Sequence, residues 1–173
     1  MWSKLLPLGC TIHLPKQRSY EMSSQSEQET SLPITNHMEV EGELCKLFYH
    51  RFGDEALPIV SSVFRRWGAY LGEKRKEKLG GKVDFRAAVE AQMKPAMERE
   101  PRPEIIEFSD ERVEIRIHLC PYRLKGNIAP LCEAMEEMDR AILRSICKDN
   151  IETEIIESLA NDDGCCHAIL KKA

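Results

Sequence analysis

The sequence predicts an α+β fold in which a four-stranded, mainly antiparallel sheet packs against about four helices. Apolar residues recur at helical spacing as far as about residue 97, and beyond that point they alternate with a period of two. The predicted order is three helices, two strands, a helix and two strands, which favours an antiparallel sheet with its helices on one side. A chain of 173 residues with 42% hydrophobic residues is large enough for one core.

The periodic sequence begins immediately after Met38, and this sets the predicted domain organisation. Residues 1–37 show no period and are rich in Ser, Gln and Glu at residues 23–30, which is typical of a flexible lead. We therefore expect a lead over residues 1–37 and a single α+β domain over residues 38–173. Met1, Met22 and Met38 all remain candidate start positions.

Three helices are predicted in the first half of the domain. An apolar stripe that includes Leu44 and Leu47 predicts the first. The second is the strongest prediction in the chain, and it ends at Gly80-Gly81. Its predicted buried face comprises Leu57, Val60, Val63, Phe64, Trp67, Tyr70 and Leu71. Gly68 and Gly72 lie four residues apart, so another element can approach that side of the helix closely. A third, short helix is predicted over residues 84–97.

The second half alternates strands with one helix. Residues 104–108 and 112–119 are predicted to form strands joined by a tight turn. A helix that starts near Pro130 follows, with a continuous apolar face as far as Ile146. Residues 151–159 and 165–170 are predicted to form the two closing strands.

Charge and cysteine content limit the function classes. A net charge of −4 argues against a general nucleic-acid binder, which needs a basic surface. No apolar stretch approaches the roughly 20 residues that span a bilayer, so no membrane partner is expected. The seven cysteines are an odd number without a credible secretion signal, so reduced thiols, metal ligands or redox groups in the cytoplasm are expected.

Cysteine and histidine residues concentrate in the C-terminal half. A tetrahedral zinc site with two Cys and one or two His is chemically reasonable there. The candidate metal ligands are Cys120, Cys132, Cys165 and His167. Two alternatives stay open. The cysteines can be small buried residues beside a hydrogen-bonded His, or Cys132 can be a reactive thiol. Zinc is accordingly a candidate cofactor and no more.

Several short motifs resemble the L-2-amino-thiazoline-4-carboxylic acid hydrolase family. They are Cys120-Pro121-Tyr122, Leu131-Cys132-Glu133, residues 151–154 and residues 158–166. That family is in turn similar to vinyl-reductase-type sensor domains, whose fold resembles subunits of vesicle-tethering complexes. The resemblance covers about residues 38–170. The family's closing Gly-Asp-Asp-Cys-Cys order here reads Asp162-Asp163-Gly164-Cys165-Cys166.

The resemblance implies a hydrolase that opens a small cyclic C=N/C–S substrate such as a 2-aminothiazoline carboxylate. The residues implied are Glu133 or Glu136 as base, His118 or Cys132 as acid or nucleophile, and Arg116, Arg123 or Lys125 on the substrate carboxylate. The alternative is a non-enzymatic small-ligand, metal or redox-sensing domain that uses Cys120, Cys132 and Cys165. A pure interaction module is a third reading.

Both main readings expect a small-molecule ligand or substrate, and they leave a homo-oligomer open. They also expect the reactive groups to gather at one rim of the sheet, because sites usually lie on loops carried by a rigid scaffold. We therefore expect at least two of Cys120, Cys132 and Cys165 to border one pocket with His118 or Arg123.

Overall fold

The computed structural model describes residues 33–173, and within them four strands form one antiparallel sheet. The strands are β1 (Glu104–Phe108), β2 (Arg112–Ile117), β3 (Ile151–Glu157) and β4 (Cys166–Lys172), paired in the order β1-β2-β4-β3. The predicted fold class is therefore confirmed. The strand β2 ends before His118, and β4 begins after Cys165.

Helices provide the rest of the fold. They are α1 (His37–Phe52), α2 (Leu57–Lys78), α3 (Phe85–Met97), α4 (Ala129–Met135) and α5 (Glu137–Ile146). The single helix predicted near Pro130 is thus two helices, which meet at Glu136. No helix within residues 33–173 combines the length and the apolar character that crossing a membrane requires.

The helix α1 begins with a reciprocal cap. The Asn36 side chain accepts a hydrogen bond from the Glu39 backbone N–H at 3.1 Å, and the Glu39 carboxylate accepts one from the Thr35 backbone N–H at 2.7 Å. These bonds satisfy backbone donors at the helix start. The predicted lead lies outside the described residues except for residues 33–37, and His37 already belongs to α1.

Two glycines bring α2 against α5. A Cβ atom added at Gly68 would lie 2.8 Å from the Cα of Met138, and one added at Gly72 would lie 2.5 Å from the Cβ of Ser145. Real Cβ atoms do not approach other atoms so closely, so these positions accept only glycine without a shift. The close approach predicted from the glycine spacing is confirmed, and it makes the glycine side of α2 the buried side.

The predicted burial of the aromatic side of α2 is wrong in part. Val60 and Phe64 are buried, but Val63, Trp67 and Tyr70 are each about half exposed. The Trp67 and Tyr70 rings stack at a centroid distance of 5.5 Å, and Trp67 also borders the cavity between the helices and the sheet. The reason is steric, because the closest packing against α5 occurs where α2 has no side chain.

The core consists of two clusters of buried side chains. One lies between the sheet and the helices α3 and α5 and includes Phe85, Val89 and Ile146. The other lies where α2 meets α4 and the loop before it, and it includes Phe64 and Leu131. Residues of both clusters line a cavity between the helices and the sheet.

Candidate functional site

A cavity of about 520 Å³ lies between the helices and the inner face of the sheet. The sheet contributes mostly apolar side chains to its lining, namely Ile115, Ile117, Thr153, Ile155, Ala168 and Leu170. The helices contribute further apolar groups, which include Met38, Leu71, Val89, Met93, Met135 and Met138. A largely apolar, preformed cavity of this size is typical of a small-molecule site.

One part of the cavity lining is polar and comes from three helices. Arg75 of α2 donates a hydrogen bond to the side-chain oxygen of Gln92 on α3. Gln92 in turn donates one to the carboxylate of Asp139 on α5. Burial raises the pKa of Asp139, while the positive charge of Arg75 and the Gln92 hydrogen bond oppose that rise. The Asp139 carboxylate therefore has a hydrogen-bond partner, and the bonds through Gln92 link α3 to α5 and to α2.

Glu136 is the second carboxyl of this polar part, and it differs from Asp139 in having no hydrogen-bond partner for its side chain among residues 33–173. It occupies the junction of α4 and α5, where its backbone N–H still donates to the Cys132 carbonyl at 2.9 Å. Its side chain keeps some accessible surface because it faces the cavity. Burial raises the pKa of Glu136 to about 8, and the nearby Asp139 carboxylate adds to the rise. The carboxyl is thus mostly neutral at pH 7.

Three thiols, those of Cys120, Cys132 and Cys166, also line the cavity. The Cys132 sulfur lies 3.6 Å from the Ser158 hydroxyl. Burial raises the pKa of Cys132 to about 12 and also raises those of Cys120 and Cys166. Because the thiolate is the nucleophile, these thiols are weakly reactive at neutral pH, although Cys132 stands at a helix start.

The four proposed zinc ligands lie in two places. Cys120 and Cys132 border the cavity, whereas the Cys165 sulfur lies 3.3 Å from a Glu157 carboxylate oxygen. His167 bonds through Nε2 to Glu114 at 2.7 Å, on the sheet face opposite to Cys166. Within the described part of the chain, no group of three or more His, Cys, Asp or Glu side chains could hold a metal ion.

Two other candidate catalytic residues lie outside the cavity lining. His118 follows the end of β2, is half exposed and approaches Glu104 at 3.8 Å. Glu133 is exposed and forms an ion pair with Arg140 at 2.6 Å. Of the four candidate catalytic residues, the cavity lining includes Cys132 and Glu136.

The three basic residues proposed to hold a substrate carboxylate also lie outside it. Arg116 alternates along β2 with two cavity residues and so belongs to the outer face of the sheet. Arg123 forms an ion pair with Glu39 of α1 at 2.8 Å, and Lys125 is exposed. The expectation that His118 or Arg123 would share a pocket with two cysteines is therefore wrong for both residues. The other part of the expectation, that two of the three cysteines border one pocket, agrees with the presence of Cys120 and Cys132 in the cavity lining.

Several residues of the cavity lining were not predicted from the sequence. A local signal existed for Cys166, because it shares its side of β4 with Ala168 and Leu170 in the period-two pattern. Asp139 stands three residues after Glu136, a spacing that brings helical side chains together. Arg75 and Gln92 come from separate helices, and no local pattern connects them with this site.

Comparison with known proteins identifies the fold. No protein-family model and no curated protein matches the chain. Among solved structures, it is similar to trafficking protein particle complex subunit 3 from Naegleria fowleri, covalently bound to palmitic acid, at 12% identity and a TM-score of 0.57, over 79% of this chain and 92% of that one.

A second solved structure is the phenol-responsive sensory domain of the transcription activator PoxR with phenol. The identity is 15% and the TM-score 0.55, over 81% of this chain and 76% of that one. At such low identities the likeness shows the fold alone. The chain therefore shares its α+β fold with a sensory domain and with a trafficking-complex subunit.

Proposed function

We propose that this chain is a non-enzymatic sensing domain that binds a small, mainly apolar molecule in the cavity between the helices and the sheet. The observation that carries the proposal is the cavity itself, about 520 Å³ in volume and lined mostly by apolar side chains. Small-molecule sites typically measure about 300–1,000 Å³ and carry a few polar groups that orient the ligand. Glu136 and the bonded Arg75, Gln92 and Asp139 provide such groups here.

Two physical effects favour a bound ligand over an empty or hydrated cavity. Removing apolar surface from water gains about 25 cal/mol per Å², and both the ligand and the lining contribute such surface. A polar ligand group can also give Glu136 the hydrogen bond that its side chain lacks among the described residues. The neighbours of known structure support the proposal by analogy, since one holds phenol and the other palmitic acid.

A cavity-blocking variant tests the proposal. Ala168 lies on the cavity side of β4, so Ala168→Phe should fill part of the space, whereas Ala69→Phe places the same ring on an exposed side of α2. We expect saturable binding of phenol or 1-decanol by calorimetry in the wild type and in Ala69→Phe, and at least tenfold weaker binding in Ala168→Phe. Equal binding by all three proteins would contradict the proposal.

A second candidate is the thiazoline-opening hydrolase, and one observation favours it. General acid–base catalysis works best with a pKa near the working pH, and the pKa of Glu136 is raised to about 8 inside the cavity. In this candidate Glu136 activates the water that adds to the C=N carbon, and opening of the C–S bond releases a thiol. The high pKa of Cys132 argues against a nucleophilic role for that residue.

Thiol release separates the two candidates. A 2-aminothiazoline carboxylate incubated with the protein should release no thiol above the background rate if the domain only senses ligands. Catalytic release that disappears in Glu136→Gln would favour the hydrolase instead. Thiol content measured with a chromogenic disulfide, against protein alone, gives the readout.

A further inference from the structure

We infer that the cavity selects ligands that carry an ammonium head group on an apolar body, with Glu136 as the group that receives the cation. This inference rests on the proposed function, because it concerns the ligand of the same cavity. It follows from which charges surround Glu136 and from which of them are already paired.

The charged and titratable groups around the cavity come from every side. Those on the helices are His37, Glu41, Arg75, Cys132, Asp139 and Arg140, with Glu136 at the helix junction. Arg99 follows the end of α3, Cys120 and Tyr122 lie on the loop before α4, and Cys166 lies on β4. Glu133, outside the lining, also acts on Glu136 through its charge. Three carboxyls therefore line the cavity, and one of them, Asp139, is bonded to Gln92.

Two of the three arginines that line the cavity are engaged with other groups. Arg140 of α5 forms ion pairs with Glu133 of α4 at 2.6 Å and with Glu137 of α5 at 3.2 Å. Arg75 bonds to Gln92 and acts on Asp139. Arg99 is exposed. These arginines leave Glu136 with a Coulomb attraction from Arg140 but with no hydrogen-bond donor.

An ammonium group supplies what this arrangement lacks. It brings three N–H donors and a positive charge to a carboxyl oxygen inside a largely apolar space, where such a pair is stronger than in water. A carboxylate ligand at Glu136 would instead face a second carboxyl, and two of the three arginines of the lining, Arg75 and Arg140, already bond to other groups. A neutral hydroxyl could bond to Glu136 but would bring no charge.

The protonation state of Glu136 gives the selection a pH signature. The raised pKa means that the empty site holds the neutral acid below about pH 8. When a cation binds, the carboxylate form is favoured, so Glu136 loses a proton to solvent while the ligand keeps its own. Affinity for the cation should therefore rise with pH, by up to about tenfold per pH unit between pH 6 and pH 8, and then level off.

A matched set of three probes tests the inference on the full chain. Phenethylamine, 2-phenylethanol and 3-phenylpropanoate share one apolar body and differ in bearing a cation, a neutral hydroxyl or an anion. An alkylammonium such as this has a pKa near that of lysine, about 10.4, and so stays charged throughout the range. At pH 8 we expect phenethylamine to bind at least tenfold more tightly than 2-phenylethanol and the anion to bind most weakly.

Three variants make the result specific to Glu136. Glu136→Gln keeps the shape, so it should lose the preference for the cation and its pH dependence while 2-phenylethanol binding stays within about twofold. Glu136→Asp should keep part of the preference, which guards against a variant that merely folds poorly. Glu111→Gln, at an exposed turn outside the cavity, should behave as the wild type.

The outcomes separate the two proposals. Equal or tighter binding of 2-phenylethanol or the anion in the wild type, or a cation preference that survives in Glu136→Gln, would overturn the inference and leave cavity binding intact. Failure of all three probes and of phenol and 1-decanol to bind would overturn the proposed function itself. Tight, pH-dependent binding of phenethylamine that requires Glu136 would support both.

Discussion

The contact between α2 and α5 gives the sharpest stability prediction, which is that Gly68→Ala destabilises the fold. The added Cβ would lie 2.8 Å from the Cα and the carbonyl carbon of Met138, and closer still to the carbonyl oxygen. Carbon atoms pack best at about 3.5–4.0 Å, so α5 would have to retreat by roughly 1 Å. The obstacle is backbone, which cannot rotate away as a side chain can.

The magnitude follows from two opposing terms. Alanine favours a helix over glycine by about 1 kcal/mol. Overpacking costs about 1–3 kcal/mol, and a backbone obstacle places this site near the upper end. The net loss should be about 2 kcal/mol, which corresponds to a fall in melting temperature of about 8 °C for a domain of this size.

Thermal and urea unfolding, followed by circular dichroism, would measure this loss. Ala69→Gly is the matched control, because Ala69 is the next residue of α2 and is exposed. It should lose about 1 kcal/mol from helix propensity alone. If Gly68→Ala were as stable as the wild type or more so, α2 and α5 could not be in the close contact described.

Three further predictions concern side chains of α1, of α2 and of the cavity. Phe64→Ala should cost about 3–5 kcal/mol in urea unfolding, and Trp67→Ala about half as much because its ring is half exposed; equal losses would contradict this difference in burial. The folded-state pKa of Glu136, about 8, exceeds the ordinary value of 4.5, so its contribution to stability is complete below about pH 4.5 and is lost as the pH rises through 8. Glu136→Gln should remove that part of the pH dependence, and an unchanged pH profile of urea midpoints would refute the raised pKa. Alkylation at pH 8, mapped by mass spectrometry, should modify half-buried Cys45 before Cys132, whose pKa is raised to about 12; the reverse order would show an activated Cys132.

Most of the fold could be predicted because its signals are local. The alternation around Val113 and Ile115 identifies a strand with one buried face, and the structure buries both residues. The break of the fourth helix at Glu136 was missed because the apolar period continues through it. The half-exposed position of Trp67 at the edge of the cavity was missed for a different reason. An apolar stripe shows which residues avoid water, but the closeness of a neighbouring helix decides which side of a broad stripe is covered.

Residues of the candidate site could be predicted only where the pattern of a single helix or strand places them there. Glu136 was among the residues implied by the family resemblance, and the structure places it in the cavity lining. Cys166 could have replaced Cys165 if the alternation along β4 had been continued to its first residue. The bonds from Arg75 through Gln92 to Asp139 join three helices, so they depend on tertiary packing that no local spacing encodes.

The glycine contacts also determine which wall of the cavity can move. Gly68 fixes α2 to the backbone of α5, and Gly42 fixes α1 in the same way to the backbone of Tyr122, so neither contact has a layer of side chains that could slide. The helix α3 is different, since its buried residues end at Val89 and Pro95 removes a hydrogen bond from its last turns. Those last turns also line the cavity. The end of α3 is held to α2 and α5 by the side-chain hydrogen bonds of Gln92 and not by direct backbone contact, so we expect ligands to enter and leave at this end.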